Sequence, residues 1–288
     1  MENHFCPICN STHIFVTYRG SLRRLPKSMS EISPNVLKCF ECGHGFLSHN
    51  VMSSSYYQSY YYEESKPTQN KDEKEKEAED WLIKVRDFIG DLKDARVLDF
   101  GAGLGYFLET AQKKEPRLAV FANEVSDTAQ KILKKKNIRI HQFDGSHSEE
   151  KFDIIVSFDV FEHLDEPIKQ LKELGQILKK GGSMFIGVPN FGDIYNDIFE
   201  TYETWFYHHE HLHYFHECSI KKMAQRCGLF ENIQVLGHHK YDLSNFYKHA
   251  GFCIDGRKSN LSSGEQAWTK LLEQSMRSSH LLMACTRL

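Results

Sequence analysis

VLDFGAGLG, residues 97 to 105, is the stretch on which the fold turns. VLDF reads as a short apolar strand, GAGLG as a glycine turn, and the YFLETAQKK that follows as a helix. Glycines here let the backbone approach a ligand where a side chain would block it, and the next helix offers N–H groups without partners. Gly101, Gly103 and Gly105 alternate. A dinucleotide fingerprint places its third glycine three residues after the second, so that pattern is not met. By itself the turn is a weak signal.

Outward from it, strand and helix take turns. LAVFANE and IRIHQFD are apolar strands with the helix SDTAQKILKKK between them, and FDIIVSFD, EPIKQLKELGQILKK and GSMFIGVPN continue as strand, helix, strand. The helix HECSIKKMAQRCG, the strand FENIQVLG, a helix SSGEQAWTKLLEQS with Ser262 and Glu265 in capping-box positions, and the strand HLLMACTRL complete the series. This alternation predicts an α/β fold, a parallel sheet covered on both faces. Two stretches, 190–215 and 237–260, fit no regular slot, and long insertions in such a sheet usually carry substrate recognition.

Upstream, residues 69–92 form a charged helix whose Trp81, Leu82, Val85, Phe88 and Ile89 recur at helical spacing, its charge run reading as a solvated face. Residues 51–68 are a tyrosine-rich connector, either packed on the next domain or a flap over a site, with Tyr60 as the candidate substrate contact. CPIC and CFEC, 29 residues apart, place Cys6, Cys9, Cys39 and Cys42 as two facing knuckles. Four thiolates are the set preferred by structural zinc, although this separation is long for such a module. A closed four-sulfur site serves folding rather than chemistry. His44 and His49 are spare ligands nearby. The expected organisation is a zinc-binding module over 1–50, a connector and helix over 51–92, and a main domain over 93–288.

The totals set outer bounds. A chain of 288 residues can bury a full core, and 36 basic against 39 acidic residues provide no overall positive field for a phosphate backbone, which counts against a nucleic-acid partner. No signal peptide opens the chain and no run reaches the ~18 apolar residues of a membrane helix, so a cytoplasmic protein without a membrane partner is expected. A reducing compartment suits the eight cysteines. Oligomeric state is not legible.

Together these residues resemble the class I S-adenosylmethionine-dependent methyltransferases. That resemblance implies a Rossmann-like, mostly parallel seven-stranded sheet with helices on both faces, beside a zinc-ribbon-like N-terminal module. It implies S-adenosylmethionine in a pocket made by Asp99, Gly101, Ala102, Gly103, Gly105 and Tyr106. Glu124 would take the ribose hydroxyls, with Val125 beside it. Asp144 would lie next to Phe143 at the adenine, and Phe158 and Asp159 of SFDVFEHL would hold the methionine end. The zinc module narrows the likeness to the deoxysugar C-methyltransferases and related small-molecule enzymes, whose segment after the fifth strand is matched in HHEHLHYF at His209, Glu210, His211, Tyr214 and Phe215 and departs at His208. It implies His211 as general base, Glu210 as its neighbour in positioning the acceptor, and His163 as a further active-site histidine. Tyr214 and His208 would contact substrate.

Those enzymes usually continue into a further C-terminal domain, so the sugar and the acceptor atom, oxygen or carbon, stay open. Two rivals stand beside this reading. One is an RNA methyltransferase gripping its substrate through Arg19, Arg23, Arg24, Lys27 and Lys38; the other is a binding protein with a degenerate pocket. His209, His211 and His213 alternate as a strand would, which leaves a second metal site open, while His216 reads as packing or surface.

Overall fold

The structure, a computed structural model, describes residues 4–23, 34–50, 71–143, 151–199, 202–241 and 262–288. Three short antiparallel strands open it: β1 (Ile14–Tyr18), β2 (Val36–Cys39) and β3 (Gly45–Leu47). Helix α1 (Lys71–Ile89) follows, burying Trp81, Leu82 and Val85 at the spacing expected. The alternation then runs β4 (Arg96–Phe100), α2 (Tyr106–Lys114), β5 (Ala119–Asn123), α3 (Asp127–Lys135), β6 (Arg139–Ile140), β7 (Phe152–Phe158), α4 (Pro167–Ile177) and β8 (Leu178–Pro189). Two short helices, α5 (Tyr195–Ile198) and α6 (Tyr202–Phe206), precede β9 (His213–Tyr214) and α7 (Glu217–Cys227). The chain closes through β10 (Phe230–His238), α8 (Ser262–Gln274) and β11 (His280–Arg287).

Seven strands form one sheet in the order β10-β11-β8-β7-β4-β5-β6. The pairs from β8 to β6 are parallel, and β11 lies antiparallel between β8 and β10. Because successive strand residues face opposite ways, Val97 and Leu98 enter different cores. Val97, Val120, Ile154, Val156 and Phe185 pack under Trp81 of α1, Leu108 of α2 and Leu133 of α3. Leu98, Phe121 and Ile155 pack under Leu171 and Leu174 of α4 and Ile220 and Met223 of α7. Both faces are therefore covered, and truncating any one of these buried leucines to alanine costs about 2–5 kcal/mol.

Three expectations need correction. The helix over 166–180 stops at Ile177, because Leu178 pairs with Phe152 and buries its side chain in the core, starting β8 four residues before the expected Gly182. The strand over 138–144 shrinks to Arg139–Ile140. The stretch 190–215 is built rather than irregular: Phe191, Tyr195, Tyr202, Phe206, Tyr207 and Tyr214 make a third core with Leu22, Val36 and Leu47 from the N-terminal region. That core explains why β9 joins β3 as the fourth strand of the small sheet, with Gly45 opposite Tyr214 and Phe46 opposite His213. The side chain of Ser262 and most of 237–260 lie outside the described residues, as does the connector. Among the described residues no helix is long and apolar enough to cross a membrane.

Candidate functional site

At the carboxyl edge of the sheet the chain leaves β4 through three glycines, all at positive φ: Gly101 at 78°, Gly103 at 53° and Gly105 at 79°. A Cβ on Gly101 would stand 2.4 Å from Val160 Cγ2, and one on Gly105 2.6 Å from Leu133 Cδ2, so the loop lies tight against its neighbours. Gly101 and Ala102 N–H groups donate to the Asn123 carbonyl, fixing the loop to the end of β5. The next residue, Glu124, turns its carboxylate back under the loop, accepting from Gly103 N at 2.7 Å and Ser126 N at 2.8 Å. Burial raises the Glu124 pKa against those amide bonds. Asp99, buried in β4 between Ala122 and Val156, is pushed up to about 8 by burial and then by Glu124, so it is largely protonated at neutral pH. Val125 beside Glu124 is 55% exposed, and Phe143 meets Phe100 edge-on at 6.2 Å. Tyr106 begins α2 with the Lys136 ammonium 5.0 Å from its ring centroid. Asp144 lies outside the described residues.

The other wall follows β7. Phe158 stacks on Trp81 with centroids 4.6 Å apart. Asp159, at φ 56°, donates its N–H to the Gly187 carbonyl and accepts from Lys240 Nζ at 2.7 Å, with His280 Nε2 at 3.4 Å. Lys240 also pairs with Glu77 of α1. Burial works to raise the Asp159 pKa, but Lys240 and His280 hold it well below the usual carboxylate range. Sequence reasoning missed Lys240, His280 and Glu77. Glu77 sat in a charge run that reads as solvated, and Lys240 in an insertion without a motif.

The histidines separate. His163 ends a 3-10 turn (Phe161–His163) and places Nδ1 2.8 Å from the Glu210 carbonyl; its ring stands 4.9 Å from that of His211. His208 lies 5.2 Å from His211 and sets Nδ1 3.4 Å from the Glu210 carboxylate. Tyr214 OH donates to the His208 carbonyl and accepts from its N–H. Burial lowers the pKa of both His163 and His211, keeping them neutral at pH 7. His209 sets Nδ1 2.9 Å from the Arg23 carbonyl, and His213 pairs with buried His44 at 3.0 Å. His216 caps α7. His209, His211 and His213 therefore do not converge on one ion, because only His213 and Tyr214 take the strand that the alternation implied. Tyr60 lies outside the described residues.

At the N terminus, each cysteine pair closes a like turn: Asn10 N–H donates to the Cys6 carbonyl and Gly43 N–H to that of Cys39, with Asn10 and Gly43 both at positive φ. The four sulfurs lie within 4.8 Å of one another, Cys6 to Cys42 at 3.6 Å and Cys9 to Cys39 at 3.5 Å, and none is disulfide-bonded. Four zinc–sulfur bonds of about 2.3 Å give a tetrahedron with edges of about 3.8 Å. The cluster fits zinc. Arg226 of α7 donates to the Ile8 carbonyl, fastening the first knuckle to the main domain.

The methyltransferase domain family matches residues 70–235, more than half of the chain. The mitochondrial ubiquinone biosynthesis O-methyltransferase of Dictyostelium discoideum is 28% identical over 117 residues, 34% of this chain and 36% of that protein. A tRNA U34 carboxymethyltransferase of Campylobacter fetus subsp. fetus is 36% identical over 103 residues, 33% of this chain and 36% of that protein. The chain spans between 36% and 49% of the length of the curated relatives it matches. In fold it is similar to a chain of the complex between the Haloferax volcanii Trm112 methyltransferase activator and a methyltransferase. The TM-score is 0.52 at 13% identity, over 75% of this chain and 92% of that one.

Proposed function

Because this chain belongs to the methyltransferase domain family, we propose that it transfers a methyl group from S-adenosylmethionine to a small-molecule acceptor. Our first choice of acceptor is a sugar, nucleotide-linked, or a similar precursor of a surface polysaccharide or secondary metabolite. The observation that carries the reading is the Glu124 carboxylate latched on the Gly103 and Ser126 amides beneath the glycine loop. Two oxygens so held keep lone pairs for two neighbouring ribose hydroxyls, and exposed Val125 offers an apolar ledge for adenine. Asp99, Ala102, Gly105 and Tyr106 complete this side of the pocket and Phe158 and Asp159 hold the methionine end, while Asp144 is assigned to the adenine by the sequence resemblance alone.

Bound there, the cofactor supplies an electrophilic methyl: the acceptor's electron pair makes the new bond to carbon as the carbon–sulfur pair returns to sulfur. The chain's own residues align the acceptor and receive its proton. His211, neutral at pH 7, takes that proton; Glu210 and His209 position the imidazole and acceptor, and His163 backs the ring. Alignment is worth roughly 7–11 kcal/mol and proton removal about 10²–10⁴-fold, so positioning dominates. His208 and Tyr214 line the acceptor side, and Tyr60 is assigned to it by the sequence reading alone. Zinc on Cys6, Cys9, Cys39 and Cys42 holds the small sheet, and through β9 the histidine segment, in place; a reducing cytoplasm keeps those thiols available. The sugar rests on the sequence resemblance at residues 209–215, and oxygen and carbon are both retained as acceptor atoms.

The experiment is incubation of the zinc-loaded chain with labelled S-adenosylmethionine and a panel of nucleotide sugars, with products read by mass spectrometry. A mass gain of one methyl on one member supports the reading; cofactor binding with no product on any sugar removes the acceptor class. An RNA acceptor is the second reading, favoured by the similarity to the tRNA-modifying enzyme. Absence of RNA retention at low salt ends it.

A further inference from the structure

Next to the proposed acceptor position sits a carboxylate that base catalysis does not use. Glu162 is 2% exposed, and its Oε2 has no hydrogen-bond partner among the described residues. Burying such an oxygen without a hydrogen-bond partner is costly. His163 brings Nε2 to 3.8 Å from Glu162 Oε1. Its Nδ1 lies 2.8 Å from a carbonyl, an acceptor only, so Nδ1 carries the proton and Nε2 the lone pair. His211 stands beside it, and one ligand atom from each of the three residues lies within 4.8 Å of the others.

We propose that Glu162, His163 and His211 form a divalent-metal site, separate from the cysteine cluster, with open positions for an oxygen of the acceptor. In an octahedral shell, bonds of about 2.1 Å place neighbouring ligand atoms about 3.0 Å apart and opposite ones about 4.2 Å apart, so the 3.8 Å between Glu162 and His163 needs only side-chain adjustment. A backbone carbonyl on the far nitrogen of His163 is the support that metal-ligating histidines receive. Two imidazoles and one carboxylate select manganese, iron, cobalt or zinc over calcium and magnesium. Burial, and after it Asp159, pushes the Glu162 pKa well above 4.5, and a cation replaces the proton so held. The other charged groups acting on the cluster are Lys240 on Glu162, Arg23 and His208 on His211, and Glu210 and His209 on His163.

This inference rests on the proposed function for the acceptor's position alone; ion binding stands without it. With the ion present His211 is a ligand, and the cation acidifies a coordinated hydroxyl: the O–H bond breaks, its proton passes to solvent, and the electron pair stays on oxygen to attack the methyl. That selects oxygen over carbon as the acceptor atom.

The test titrates Mn²⁺ into the zinc-loaded chain and follows loss of the free-ion electron paramagnetic resonance signal, with S-adenosylhomocysteine affinity as the control for folding. We expect one Mn²⁺ per chain, weakened by more than about 100-fold in Glu162→Gln and in His163→Asn, with zinc content and S-adenosylhomocysteine affinity unchanged. Should a buried substitution disturb folding, the half-buried His211→Asn supplies the same comparison. No Mn²⁺ binding at millimolar ion, or equal binding by all variants, overturns the site and leaves methyl transfer with His211 as base standing. Failure to bind S-adenosylhomocysteine overturns methyl transfer whatever the ion does.

Discussion

Gly101→Ala tests the loop directly. The new Cβ would lie 2.4 Å from Val160 Cγ2 and 3.2 Å from Cγ1, at a residue whose φ is +78°. Two costs add. A non-glycine residue in the left-handed region loses about 1–2 kcal/mol, and overpacking against a stiff β-branched neighbour costs about 1–3 kcal/mol, giving about 2–5 kcal/mol in all. Val160→Ala removes both Cγ atoms and leaves Cβ, 3.4 Å away, as the nearest part of that side chain, so on the Val160→Ala background Gly101→Ala should carry only the backbone cost. The expected coupling is therefore about 1–3 kcal/mol, favouring the pair over the sum of the singles. Urea unfolding of the four proteins at pH 7.5 measures it. The reasoning fails if Gly101→Ala costs under about 1 kcal/mol, or if the two substitutions add within about 0.5 kcal/mol.

Other expectations follow from the same geometry. Glu124→Gln exchanges one oxygen for an amide that faces backbone donors, and S-adenosylhomocysteine affinity by calorimetry should fall about 10- to 100-fold, the worth of one charge-assisted hydrogen bond. His211→Asn should lower turnover about 10²–10⁴-fold with calorimetric S-adenosylhomocysteine affinity nearly unchanged; unaltered turnover removes His211 from the mechanism. Burial holds His213 at about 4, below its unfolded 6.5, so the unfolded chain protonates first. Its stability contribution is full above about pH 6.5 and is lost as pH falls toward 4, roughly 3 kcal/mol in total; His213→Gln should flatten the urea midpoint over that range. Cys39→Ser should abolish binding of one zinc per chain by elemental analysis and lower the thermal midpoint, because the β3–β9 pairing hangs on the same knuckles.

Legibility in the sequence tracked periodicity. VLDF, LAVFAN and FDIIVSF alternate cleanly between two faces, so the sheet and its helices were readable, as was Trp81-Leu82-Val85 on α1. The glycine loop and the acid beneath it were readable because alternating glycines and a strand-end acid have local signatures. What escaped depends on contacts between distant segments. Glu77 and Lys240, 163 positions apart in number, meet over Asp159, and no local pattern announces either. Leu178 looked like a helix residue until its pairing with Phe152 is known. The histidine run had the same difficulty: His213 turns to His44, His216 caps a helix, and His211 joins His163 from another turn, a division that tertiary contacts alone decide.

A crystal structure with S-adenosylhomocysteine tests the central claim most directly. We predict ribose hydroxyls on the Glu124 carboxylate, adenine over Val125, and the sulfur turned toward the rings of His163 and His211. A ligand seated elsewhere, or one whose sulfur faces away from those two imidazoles, contradicts the account.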